Sequence, residues 1–97
     1  MNRVPRRLLS LRRLVPSSAL GRYEELWSAL QSAAVALGAH AWRFAARDDP
    51  SRYLEFLEFA EDADPRSRAD VGDLLSRLDR EIGAGELEEW VESPPAP

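Results

Sequence analysis

Two aromatic-rich segments separated by a short polar turn constrain this fold more than any other feature. The first, 40–47, reads His-Ala-Trp-Arg-Phe-Ala-Ala-Arg, and the second, 52–60, reads Arg-Tyr-Leu-Glu-Phe-Leu-Glu-Phe-Ala. Aromatic residues are enriched in strands, and the Asp-Asp-Pro-Ser sequence between the segments is typical of a hairpin turn. We therefore predict an antiparallel hairpin. Because the second segment also fits the apolar stripe of a helix, an all-helical chain is the alternative.

The remaining apolar patterns predict two helices and two further strands. Apolar residues recur every three or four positions over 20–37 and again over 71–82, as on one face of a helix. Short apolar runs at 8–15 and 87–91 predict the first and last strands. Gly38 follows the first helix at the position where a left-handed residue usually ends one.

The resulting order of elements, βαββαβ, predicts an α+β ferredoxin-like fold. Such a fold has a four-stranded antiparallel sheet, with strands in the order four-one-three-two, and two helices on one face. We expect residues 1–92 to form one domain. The proline-rich end of the chain, 93–97, has few groups that can pack and is expected to be a mobile tail.

We predict a hairpin register in which residue numbers across the two strands add to 98. It sets chemically compatible side chains opposite each other: Trp42 and Phe56, Phe44 and Leu54, Arg43 and Glu55, His40 and Glu58. On this register we expect the Trp42 face to pack against the helices. The face that carries Tyr53, Leu57 and Phe59 would then lie on the opposite side of the sheet.

Charge is divided unevenly along the chain. Residues 1–47 carry eight arginines and two acids, whereas residues 48–97 carry five arginines and fifteen acids, for a total of −4. In the predicted sheet the arginine-rich first strand lies between two glutamate-rich strands, so the opposite charges would pair across the ladder. We therefore expect no nucleic-acid binding, although a basic arm is the alternative interpretation of the first segment.

Composition also excludes several classes of site and location. The chain has no cysteine, which rules out disulfides and thiolate metal sites. The leucines near the start are interrupted by arginines, unlike the apolar core of a secretory signal, and no apolar run is long enough to span a membrane. We expect a cytoplasmic protein with no membrane partner and no metal site.

In layout the chain resembles the dimeric α/β-barrel superfamily, which includes antibiotic-biosynthesis-monooxygenase-like domains. Beyond the arginine-containing first strand, the resemblance is carried by the motifs at 23–27 (Tyr-Glu-Glu-Leu-Trp), 38–44 (Gly-Ala-His-Ala-Trp-Arg-Phe) and 53–59 (Tyr-Leu-Glu-Phe-Leu-Glu-Phe). It implies a homodimer whose sheets face each other and enclose a cavity away from the helices. Monooxygenase-like members often have Glu and then Trp two residues later. Here Glu58 and Ala60 stand in those places, so the activity is not implied.

Candidate site residues follow from the hairpin faces. Four side chains could bind a ligand in the sheet-side cavity: His40, Arg43, Tyr53 and Glu55. Three could form the dimer interface: Tyr53, Leu57 and Phe59. We assign no catalytic residue. We expect no cofactor, and haem with His40 as an axial ligand is the remote alternative that the resemblance implies.

Three functions remain open from the sequence. The first is a small-molecule-binding or structural homodimeric domain, because apolar side chains lie on both faces of the hairpin and the helices can cover only one. The second, a cofactor-independent monooxygenase or haem-handling enzyme, rests on the resemblance alone. The third is a protein-interaction module whose acidic second half contacts a partner. Whether the protein is an enzyme is left open.

Overall fold

The two aromatic-rich segments form a β-hairpin in the computed structural model, which describes residues 4–93. The elements are β1 (Arg6–Leu14), α1 (Leu20–Ala36), β2 (His40–Ala46), β3 (Asp49–Ala60), α2 (Ala69–Glu81) and β4 (Glu86–Val91). The strands form one antiparallel sheet in the order β2-β3-β1-β4. The predicted ferredoxin-like βαββαβ fold is confirmed, and the all-helical alternative is wrong. Apart from Ser93, the tail predicted at 93–97 lies outside the described residues.

The predicted register of the hairpin is confirmed over most of its length. Trp42 lies opposite Phe56, Arg43 opposite Glu55, and the register shifts only near the turn, between Ala45 and Ala46. Gly38 has a φ of 87°, so it ends α1 in the left-handed conformation that glycine adopts without steric cost.

The predicted assignment of the two sheet faces is wrong. Leu57 and Phe59, expected on the face away from the helices, are 1% and 2% exposed and belong to the core. Trp42, expected in the core, is 47% exposed. Because side chains alternate along a strand, every hairpin residue changes sides with them.

Packing of β1 and α1 on the helix-covered face explains why the odd-numbered residues of the hairpin are the buried ones. Odd-numbered side chains of β1, such as Leu9 and Leu11, lie beside Leu57 and are buried with it. Ala39 and Ala41 before and within β2 are also buried. Small side chains there leave room for the bulky face of α1, whose buried residues are Tyr23, Leu26, Trp27, Leu30 and Ala34. No helix among residues 4–93 is long and apolar enough to cross a membrane.

The uneven charge along the sequence is compensated across the sheet, as predicted. Arginines of β1 pair with acids of β3 and β4 or of the chain just beyond β3: Arg6 with Glu58, Arg7 with Glu61, Arg12 with Glu88 and Arg13 with Glu55. The arginines of β1 therefore lie beside carboxylates of neighbouring parts of the chain. The pairs of Arg6, Arg7 and Arg12 are partly exposed and each contributes little to stability, whereas the Arg13–Glu55 pair is buried.

The Arg6–Glu58 pair predicts a loss of stability in acid. Arg6 Nη2 lies 2.6 Å from Glu58 Oε1, and this hydrogen bond lowers the pKa of Glu58 below its ordinary 4.5, although burial opposes the shift. Because the pKa is lower in the folded chain, the pair stabilises the fold fully above about pH 4.5 and less as the pH falls through the folded pKa.

Urea unfolding measured near neutral pH and near pH 3 would test this prediction. The free energy of unfolding should fall in acid, and Arg6→Gln should reduce the size of that fall. The same acid loss in the parent and in Arg6→Gln would show that the pair plays no part.

Candidate functional site

A buried ion cluster lies between the helices and the sheet. Its buried centre consists of Arg13 on β1, Tyr23 on α1 and Glu55 on β3, and Asp79 on α2, whose side chain is 50% exposed, joins it from the surface. The side chains of Arg13 and Glu55 are 0% and 1% exposed, and Arg13 Nε donates to Glu55 Oε2 over 2.9 Å. Burying an ion pair is costly unless its remaining hydrogen bonds are made, so its other partners decide whether the cluster is stable.

Those partners satisfy the cluster from three sides. Arg13 Nη2 donates to the second oxygen of Glu55 at 3.0 Å, and Arg13 Nη1 donates to Asp79 at 2.8 Å and to the Gly83 carbonyl at 2.5 Å. The Tyr23 hydroxyl donates to Glu55 at 2.7 Å. Both oxygens of Glu55 are therefore engaged, and the cluster ties four elements of the fold together.

The electrostatics of the cluster keep its donors protonated. Burial acts to lower the pKa of Arg13, but the hydrogen bonds and charges of Glu55 and Asp79 outweigh it, so the pKa is raised. Burial, and then the charge of Glu55, raise the pKa of Tyr23 well above its ordinary value. At Gly85 a Cβ would lie 3.0 Å from Arg13 Nη2, so glycine lets the loop after α2 pass close to the guanidinium.

Arg43 lies beside this cluster, surrounded by aromatic rings. Its guanidinium carbon is 5.1 Å from the ring centre of Tyr23, 5.7 Å from that of Trp27 and 5.6 Å from that of Tyr53. Such distances permit cation–π attraction. One guanidinium nitrogen also donates to Glu24 on α1. Arg43 thus holds α1 to the sheet with bonds within the protein.

A cleft of about 950 Å³ opens at one end of the sheet. It lies where β1 ends, where the β2–β3 hairpin turns and where the loop after α2 begins β4. Leu14, Phe44 and Leu54 line it from the uncovered face of the sheet, and Tyr53 and Ile82 line it from the helix side. Its charged lining is Arg12, Arg13, Arg52 and Glu86.

The sheet face away from the helices, here called the open face, carries large apolar side chains. Leu14, Trp42, Phe44 and Trp90 are exposed there, and Leu8, Leu54 and Phe56 are half-buried. His40 stacks on Trp42 with a 5° angle between the rings, and Phe44 packs edge-on against Phe56. An apolar surface of this extent is uncommon on a protein that acts as a monomer.

The structure brings three of the four predicted ligand-binding residues, Arg43, Tyr53 and Glu55, together on the helix side of the sheet and leaves His40 on the other side. Arg43 and Glu55 face the helices and bind partners within the chain. Tyr53 lines the cleft. His40 is exposed on the open face and lines neither of the two clefts described for residues 4–93. Within those residues, no group of three His, Asp or Glu side chains is placed to hold a metal ion.

The predicted interface residues Tyr53, Leu57 and Phe59 lie under the helices, so the open face cannot present them to a second sheet. The side chains that the open face does present are those of even-numbered hairpin residues, above all Trp42 and Phe44, which are exposed. Sequence reasoning also missed Tyr23 and Asp79. The sequence did contain a signal for which face of the sheet is buried, because Leu9 and Leu11 of β1 lie opposite odd-numbered residues of β3, and those are the buried ones.

Comparison with solved structures gives whole-chain matches of low sequence identity. A conserved protein of unknown function from Bacteroides thetaiotaomicron has a TM-score of 0.77 at 12% identity, with 93% of this chain and 100% of that chain covered. A candidate antibiotic biosynthesis monooxygenase from Nitrosomonas europaea has a TM-score of 0.73 at 10% identity, with 100% and 97% covered.

The cofactor-independent oxygenase SnoaB from Streptomyces nogalater has a TM-score of 0.72 at 13% identity, with 95% of each chain covered. No protein-family profile matches the sequence, and no curated protein matches it. At these identities the likeness is one of fold. The chain has the ferredoxin-like fold of antibiotic biosynthesis monooxygenase-like proteins.

Proposed function

We propose that this protein is a small, non-catalytic homodimeric domain that binds a small molecule in the cleft beside its dimer interface. The observation that carries the proposal is the open face, with Trp42, Phe44 and Trp90 exposed on a sheet that the helices cover on one side only. An antiparallel sheet with one wet face normally alternates apolar and polar residues. A second copy that presents the same face would bury both surfaces in one symmetric interface.

The cleft supports the ligand-binding part of the proposal. It combines apolar walls with a few polar groups, which is typical of small-molecule sites, and its volume suits an organic molecule of modest size. Phe44 belongs both to the cleft and to the open face. A second copy packed against the open face would therefore close one side of the cleft. The resulting cavity would lie between the two sheets, where the sequence analysis expects one.

The buried ion cluster favours a binding role over an enzymatic one. Glu55 is the fully buried carboxylate beside the cleft, and Arg13 and Tyr23 already occupy both of its oxygens. Glu55 is not among the cleft lining residues. The oxygenase alternative is supported by fold similarity, and fold alone does not carry activity.

A cytoplasmic location belongs to the same proposal, because disulfides are typical of small secreted domains and the chain has no cysteine.

Acrylamide quenching of tryptophan fluorescence tests the proposed interface. In one protomer Trp42 and Trp90 are exposed, whereas Trp27 is 3% exposed in the core. If the open faces meet, Trp42 should be protected at micromolar concentration, and its quenching should increase when dilution separates the protomers. A Trp42→Phe variant identifies its share of the signal. Free quenching of Trp42 at every concentration would contradict the proposal.

A further inference from the structure

Two arginines in the cleft have no close carboxylate partner among residues 4–93. Arg12 lies 3.9 Å from Glu88, and Arg52 lies 3.9 Å from Asp48. Their side chains are 68% and 57% exposed. Most other arginines within residues 4–93 bind a carboxylate at 3.2 Å or less: Arg6, Arg7, Arg13, Arg22, Arg43, Arg66 and Arg77. Long, exposed pairs contribute little, so both guanidinium groups could bind a ligand at small cost.

The strand register brings these two arginines together on the open face. Arg12 lies opposite Leu54, and Arg52 lies opposite Leu14, on the neighbouring strands β1 and β3. They are therefore diagonal neighbours, with backbones about 7–8 Å apart. Guanidinium groups on long side chains at this spacing can reach one shared anionic group. The planar fork of arginine suits carboxylate and phosphate oxygens.

An apolar wall lies next to the arginine pair. Phe44 is opposite Leu54 across the hairpin, and Leu14 and Pro16 also line the cleft. The carboxylate that lines the cleft is Glu86, opposite Arg12 on β4. Because Glu55 already neutralises Arg13, the accessible lining is positive, although the chain as a whole carries −4.

We propose that the cleft binds a small amphipathic anion, namely an aromatic or similarly apolar body with one carboxylate or phosphate group. Arg12 and Arg52 hold the anionic group, and Phe44 with Leu54 packs against the body. This inference rests on the proposed small-molecule function and specifies the ligand class. A neutral ligand of the same shape would gain the apolar contact but would leave both guanidinium groups with their weak surface pairs.

Calorimetric titration of the intact protein with three matched probes tests the ligand class. The probes are 1-naphthoate, 1-naphthyl phosphate and the neutral 1-naphthamide. We expect one or both anions to bind at least about tenfold more tightly than the amide, and the tighter of the two anions identifies the anionic group. Equal affinity for the amide and the anions would overturn the proposal, as would the absence of binding by all three.

Variants test whether Arg12 and Arg52 cause the expected preference for anions over the neutral amide. The double variant Arg12→Gln, Arg52→Gln should bind anion and amide equally. The control Arg68→Gln removes the same kind of charge at the start of α2, about 20 Å along the helix from the cleft, and should keep the preference. Retention of the preference by the double variant would overturn the inference. Sedimentation of the same samples separates the proposed ligand class from the proposed homodimer. A dimer that shows no preference for anions would overturn the ligand class alone, whereas a monomer would overturn the homodimer.

Discussion

Replacing Arg13 with methionine is expected to lower the free energy of unfolding by about 3–5 kcal/mol. Methionine fills much of the same space, so the cost comes from charge rather than from a cavity. Glu55 would remain 1% exposed, with the Tyr23 hydroxyl as the hydrogen-bond donor that the structure shows for it. Since domains of this size are stable by about 5–15 kcal/mol, the variant should be partly unfolded or close to it.

Two further variants make the Arg13 experiment decisive. Arg12→Met changes the residue directly before Arg13 on β1. Its side chain is exposed, so the free energy of unfolding should change by no more than about 0.5 kcal/mol. Arg13→Met combined with Glu55→Leu removes both buried charges and should recover part of the loss. Denaturant midpoints of the three variants give the comparison. If Arg13→Met unfolds at the same midpoint as Arg12→Met, the cluster does not stabilise the fold.

Replacing Trp42 with aspartate is expected to convert the proposed dimer into monomers. Each dimer would lose two aromatic anchors and gain two buried charges. At about 2 kcal/mol for each anchor, the dissociation constant should rise roughly a thousandfold or more. Because Trp42 is exposed within one protomer, the fold of that protomer should survive, and its far-UV circular dichroism should match that of the parent.

The matched control places the same charge on another exposed apolar residue. Val35 lies on α1, outside the sheet, and is exposed, so Val35→Asp should remain dimeric. Light scattering coupled to size-exclusion chromatography reports both masses. Were Trp42→Asp to keep the mass of the parent, the open face could not be the interface.

The strand order and register could be predicted because several local signals agreed. The hairpin turn limits the register, and opposite charges at Arg43 and Glu55 favour the pairing that the structure shows. The α1 stripe was also informative, since Tyr23 and Trp27 are both buried. These signals depend on neighbours along the chain or across one ladder, which is the range over which sequence patterns are reliable.

The choice of buried face failed for a physical reason. Arg13 and Glu55 make the helix-covered face look polar in sequence, yet they are buried because each satisfies the other. Conversely, Trp42 and Phe44 look like core residues but lie on the open face. Burial of a charge depends on a partner 42 residues away, and exposure of an aromatic pair depends on which face of the sheet the helices cover. Neither is visible in the local pattern of one strand.

The cleft was equally hidden from the sequence. Its lining comes from the end of β1, the hairpin turn and the loop after α2, which are far apart along the chain. Arg12 and Arg52 become neighbours only through the β1–β3 register. The sequence predicted Tyr53 as a ligand-binding residue and the structure places it in the cleft, but the binding role itself stays a proposal.

Sedimentation equilibrium of the unmodified chain at micromolar concentration decides whether the protein is a homodimer. We predict a species of about twice the chain mass of 10.9 kDa, because an apolar surface as large as the open face is uncommon on a protein that acts as a monomer. A single species near 10.9 kDa would contradict the dimer and the closed cleft that depends on it.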